Sequence, residues 1–104
     1  MSEVKIVKFV YGAEVIAKVS ELDERTVMLQ SPLSLQPIQR QDSMSLAMMP
    51  FTWAGETSNG VGIERRHILC IMDCEDGLKS SYLANLAGLT IPSQTASPRI
   101  TLTD

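Results

Sequence analysis

The chain has 104 residues, enough for one hydrophobic core and too few for two. Hydrophobic residues make up 44% and charged residues 20%, an ordinary globular composition. Nine basic and twelve acidic residues leave a formal charge of −3, which argues against a general nucleic-acid coat but leaves room for a local basic patch.

No apolar run approaches the length of a membrane span. The opening Met1-Ser2-Glu3-Val4-Lys5 has no apolar core of a signal peptide. The expectation is a cytoplasmic protein with no membrane partner.

Val4 to Tyr11 is rich in β-branched and aromatic residues and predicts a first strand. Its apolar residues fall on both faces: Val4, Ile6 and Val10 on one, Val7, Phe9 and Tyr11 on the other. Two explanations stand. The strand is buried on both sides within its own domain, or it pairs with another subunit. Gly12-Ala13 allows a tight turn. In Glu14 to Ser20, Val15, Ala17 and Val19 alternate with polar residues, a half-buried strand. Ile16 breaks the pattern on the polar side and is a candidate contact residue. A charged turn follows at Leu22-Asp23-Glu24-Arg25.

Val27, Leu29, Leu33 and Leu35 share one parity, as in a single long bent strand. Pro32 and Pro37 limit it, because each removes a ladder donor. Met44, Leu46 and Met48 alternate in a fourth strand ending near Pro50, and Glu56 to Gly60 is a loop. A fifth strand is predicted from Val61 to about Met72, with charges in its middle at Glu64, Arg65, Arg66 and His67.

The spacing of Leu78, Tyr82, Leu86 and Leu89 predicts one helix, capped by Asp73 or Asp76 and closed by Gly88. The tail from residue 93 is polar. Within it Arg99 to Leu102 alternates and can add to a sheet edge, in this chain or a neighbour. The fold class is therefore mostly β: a small, strongly bent, five-stranded antiparallel barrel with one short C-terminal helix over residues 1–92.

Few residues carry catalytic chemistry. The one histidine lies far from any serine nucleophile signal, and there is no phosphate-binding glycine loop. The expectation is a non-enzyme without cofactor. His67, Cys70 and Cys74 are three ligand-type residues in a short run, but zinc sites want four. The plainer expectation is no metal, with Cys70 as a small buried strand residue and Cys74 near the helix start. Trp53, the only tryptophan, is either a base-stacking platform or a packing residue.

One further pattern is more specific. An apolar strand, Gly12, a second strand and then Asp23 resembles the first sequence motif of the Sm-like (LSm) proteins, with Val15, Val19, Leu22 and Leu29 near its apolar positions. Ile63, Ile68 and Ile71 match the isoleucines of the second motif. The closing helix and "GLTIP" at 88–92 look more like phage and bacterial members than spliceosomal ones. The resemblance covers about residues 4–92. It implies an SH3-like bent barrel assembled edge to edge into a homo-oligomeric ring of about five to seven subunits. Family members usually open with a helix, for which the residues before Val4 leave no room; the helix at 76–87 would cover the barrel instead.

The resemblance also implies a place for RNA. In the family, bases are held at the pore by the turn after the second strand and by the second motif. Those positions here are Asp23, Arg25, Arg65, Arg66 and His67. Arg25 stands where the stacking residue lies. Val27 replaces the base-reading Asn, and Arg65 replaces a Gly. A basic annulus contacting phosphates is thus expected, with no family-type base specificity. The competing reading pairs these arginines with Asp23, Glu24 and Glu64 as solvated surface charges. Val7, Phe9, Tyr11, Ile68 and Ile71 are the candidate subunit-interface residues. Two functions remain open: an RNA-binding chaperone or scaffold ring, and a protein-assembly module such as a phage structural or regulatory ring.

Overall fold

Alternating and β-branched residues dominate the first fifty positions, and they fold as four strands in a computed structural model that describes residues 3–39 and 41–87 and the backbone of 99–101. These are β1 (Glu3–Phe9), β2 (Glu14–Glu21), β3 (Thr26–Gln39) and β4 (Met44–Pro50). After a loop come β5 (Val61–Glu64), a 3-10 helix (Arg65–His67), β6 (Ile68–Asp73) and helix α1 (Asp76–Leu86). A last short strand, β7 (Arg99–Thr101), completes the described elements.

All pairings are antiparallel. The strand order is β6-β1-β2-β3-β4-β7, with β5 also pairing β3. The sheet is an open path among the described residues: its two end strands, β6 and β7, do not pair with each other. Seven strands replace the expected five for two reasons. The predicted strand from Val61 to Met72 is cut at Arg65–His67, and the tail supplies β7. The cut lets β5 lie on β3 while β6 lies on β1.

β3 is the single long strand the sequence predicts, but its apolar residues do not share one face. Ile16 of β2 pairs with Leu33, and Lys18 pairs with Gln30, so two residues of β3, Ser31 and Pro32, oppose Ala17 alone. This is a β-bulge, and Ser31 adopts φ 53° within it. One extra residue reverses the side-chain alternation. Val27 and Leu29 enter one core with Val7, Phe9, Val15, Ala17 and Val19. Leu33 and Leu35 enter the other, on the opposite face, with Ile6, Ile16, Met48, Leu78 and Tyr82. Pro32 sits at the irregularity, where its missing N–H is tolerated.

The second core explains two sequence features. Ile16 is fully buried under the helix, not exposed as a contact residue. The two-faced β1 places Val4 and Ile6 in the helix-side core and Val7 and Phe9 in the other. It is an internal strand flanked by β2 and β6, so burial within the chain accounts for both of its faces.

The helix is anchored more narrowly than its spacing predicts. Only Leu78 and Tyr82 are buried; Leu86 is exposed, and Gly88 and Leu89 lie outside the described residues. Glu75 is the N-cap residue, and no side chain caps the helix. Asp76 instead adds negative charge to the first turn, where the helix dipole favours it. Asp73 ends β6 and pairs with Lys5, which holds the Asp73 carboxyl below its ordinary range. The Tyr82 hydroxyl donates to the carbonyls of Ser31 (2.8 Å) and Gln30 (3.3 Å). Those carbonyls belong to the bulge, where the ladder is interrupted.

β7 pairs with β4 through Ser45–Thr101, Leu46–Ile100 and Ala47–Arg99, so the tail adds to its own sheet. Leu102, the end of the predicted segment, lies outside the described residues. No described helix is long and apolar enough to cross a membrane.

Candidate nucleic-acid interface

The turn between β2 and β3 is built by one side chain. Asp23 Oδ1 accepts hydrogen bonds from the backbone N–H of Arg25 (2.7 Å) and of Thr26 (2.8 Å). Aspartate in such a turn ties down the amides that the reversal leaves without ladder partners. The carboxylate is therefore occupied by the turn itself. An Asp23→Ala variant is expected to lose about 1 kcal/mol of stability, since the bonds are charge-assisted but exposed. Asp23→Asn, which keeps an acceptor oxygen, should recover part of it. Urea denaturation of the two variants checks this, and equal loss in both would show that the oxygen is not what matters.

The 3-10 helix packs beside this turn. The Arg65 amide donates to the Arg25 carbonyl at 2.6 Å. The Arg65 guanidinium reaches across the turn, donating to the carbonyls of Glu24 (3.2 Å) and Asp23 (3.3 Å) and to the Glu21 carboxylate (3.0 Å). A planar fork with several donors suits such a set of oxygens. Arg65 thus works as a clasp holding the β2–β3 turn against the 3-10 helix. The adjacent Arg66 pairs with Glu64, and His67 Nε2 lies 3.9 Å from the same carboxylate.

These elements enclose an open groove of about 510 Å³ lined by Glu24, Arg25, Thr26, Glu64, Arg65 and Arg66. Three of the five predicted site positions, Arg25, Arg65 and Arg66, line the groove, and Asp23 holds the adjoining turn. His67 follows at the end of the 3-10 helix. The lining carries one more cation than anion, on a chain whose formal charge is −3. Arg25 is the lining arginine whose guanidinium makes no described ion pair or hydrogen bond. Exposed pairs such as Arg66–Glu64 contribute roughly 0–1 kcal/mol, so an incoming phosphate can exchange for the carboxylate at little cost.

Sequence reading misses Glu21 and the turn carbonyls as partners of Arg65. They lie more than forty positions from it, and no local pattern marks such a contact. The Val27 position is settled by packing. Its side chain is fully buried in the core with Val7, Val15 and Leu29.

The other named residues fall elsewhere. Val7 and Phe9 are buried in the chain's own core, which leaves Val7 no side-chain surface for a partner and Phe9 almost none. Ile68 and Ile71 are partly buried against that core, and Tyr11 is exposed with its ring edge-on to Phe9 at 5.4 Å. Trp53 is 82% exposed, so it does not pack on its own sheet. Cys70 is exposed in β6 rather than buried, and Cys74 packs at the edge of the helix-side core, where burial pushes its thiol up. Among the described residues no three His, Cys, Asp or Glu side chains come together as a metal site.

No protein-family model matches the chain, and no curated protein shows significant similarity to it.

Proposed function

We propose that this chain is a subunit of an Sm-like homo-oligomeric ring that holds single-stranded RNA by its phosphates, without reading base sequence. The bent β3, shared by β2 on one side and by β5 and then β4 on the other, supports an Sm-like or SH3-like barrel. The observation that carries the RNA reading is the convergence of Arg25, Arg65 and Arg66 on one open groove, where the Arg25 guanidinium makes no ion pair or hydrogen bond among the described residues. Repetition around a ring would turn that groove into a basic annulus on an acidic body. Arg25 contacts the phosphate or stacks on a base plane. Arg65 keeps the turn in place. The ring itself comes from edge-to-edge strand pairing.

The test is fluorescence anisotropy with oligo-U and oligo-A RNA at two salt concentrations. The expected result is salt-sensitive binding with little base preference. Arg25→Ala should weaken binding and lower the slope of log affinity against log salt by about 0.7 for each phosphate no longer neutralised. Binding that is equally strong and equally salt-dependent in the variant would remove Arg25 from the site.

A second reading is favoured by one observation. Arg65 is consumed by the turn and Val27 by the core, so two of the family's ligand positions serve the fold. A protein-assembly ring, such as a phage structural or regulatory part, needs neither. Absence of RNA binding at low salt would select it.

A further inference from the structure

We propose that Arg66 is a second phosphate contact of the groove and that Glu64 keeps it latched, so that this one carboxylate sets how many phosphates each subunit neutralises. The inference rests on the RNA reading above.

Three arginines line the groove, and each is held differently. Arg25 has no guanidinium partner among the described residues. Arg65 spends its guanidinium on three oxygens of the β2–β3 turn, from Glu21, Asp23 and Glu24. Those partners lie about forty positions away, and its side chain is only 37% exposed. Releasing Arg65 would therefore undo the clasp. Arg66 is bound far more loosely. Its one described partner is Glu64, two residues before it, which accepts from Nε at 2.5 Å. Its side chain is 75% exposed, and its two terminal nitrogens have no partner among the described residues.

The fold does not depend on this pair. Glu64 is fixed by its backbone, opposite Thr26 in the β3–β5 ladder. It is the N-cap residue of the 3-10 helix, but its side chain makes no capping hydrogen bond. No residue of that helix is buried. A displaced carboxylate also has a nearby nitrogen to turn to, because His67 Nε2 lies 3.9 Å from it.

Charge gives the latch its effect. Paired, Glu64 and Arg66 are neutral together, and a phosphate that approaches the guanidinium meets a carboxylate beside it. Two anions on one cation repel each other. Without the carboxylate, Arg66 offers its planar fork to the phosphate alone. In the free protein the Glu64 carboxylate thus occupies the place of a phosphate. Arg25 makes the first contact, and Arg66 joins only where the strand displaces Glu64. An exposed pair of this kind holds back up to about fivefold in affinity.

Glu64→Gln in the full-length chain tests this, set against Glu24→Gln. Glu24 lines the same groove, and its carboxylate makes no ion pair or hydrogen bond among the described residues. Both changes remove one negative charge, but only the first releases Arg66. Fluorescence anisotropy with a short oligo-U RNA at two salt concentrations compares both with the unaltered chain and with Glu64→Gln combined with Arg66→Ala. The expected result is about two- to fivefold tighter binding in Glu64→Gln. Its slope of log affinity against log salt should be steeper by about 0.7, for one added phosphate. Both gains should vanish in the combined variant. If Glu64→Gln is no tighter than the unaltered chain, or if Glu24→Gln gains as much with as steep a slope, the latch is refuted. Weaker binding in Glu64→Gln also refutes it, because the carboxylate would then orient Arg66 for the strand. If no form binds at low salt, the RNA reading itself fails and the latch falls with it.

Discussion

Tyr82→Ala is expected to destabilise the fold by about 3–5 kcal/mol, a large part of the roughly 5–15 kcal/mol that a small domain has in total. Three losses combine. The ring is fully buried and is one of two helix residues in the helix-side core, so its removal leaves a cavity under α1. The helix has no side-chain cap and a sparse apolar face, so its stability comes from docking. The carbonyls of Gln30 and Ser31 lose their donor at the bulge. Tyr82→Phe separates these effects. It keeps the packing and removes the hydroxyl, and it should cost about 1–2 kcal/mol. Urea denaturation followed by circular dichroism measures both. A phenylalanine variant as stable as the parent would show that solvent satisfies the bulge carbonyls.

The same hydroxyl gives a pH signature. Burial pushes the Tyr82 phenol from its usual 10.0 up to about 12, with a smaller opposing contribution from the Lys18 backbone. The fold favours the neutral phenol. That contribution is complete below the unfolded-state pKa, and it is lost as pH rises through about 12. In a Tyr11→Phe background, ultraviolet titration reports Tyr82 alone, and the transition should fall near the upper value.

Ile16→Asp is the second large effect. On strand alternation alone this change is harmless, because Ile16 lies on the same side as Glu14, Lys18 and Ser20. In the fold Ile16 is fully buried between β1, β3 and α1, with Ile6, Leu35 and Tyr82 in its cluster. A carboxylate there has no partner, and burying an unpaired charge costs several kcal/mol after the group has neutralised. The expected outcome is a chain unfolded at neutral pH, with partial recovery in acid as the carboxyl is protonated. Ile16→Val, which loses one methylene, should cost only about 0.5–1.5 kcal/mol. Near-wild-type melting of Ile16→Asp would mean that the helix does not cover this face.

Much of the fold was legible in local pattern. Period-two alternation identified β2 and β4, and the β-branched run identified β1. The Leu78–Tyr82 spacing identified the helix, and the alternating Arg99 to Leu102 segment marked a strand where β7 now lies. These signals depend on neighbours one to four residues apart, which a sequence displays directly. The loop arginines and the Asp23 turn were legible for the same reason.

What the tertiary structure decided were the contacts between distant segments. One extra residue at Ser31–Pro32 sends Leu33 and Leu35 to the opposite face from Val27 and Leu29, and no composition rule marks that bulge. The burial of Ile16 depends on a helix sixty positions away. The role of Arg65 depends on Glu21 and the carbonyls of a turn forty positions away, which make it a clasp, while Arg25 lines the groove with no guanidinium partner among the described residues. By itself the sequence determined which residues could form strands, a helix, turns and a basic site. Their faces and partners were decided by register and docking, because side-chain burial depends on what the folded chain places opposite each residue.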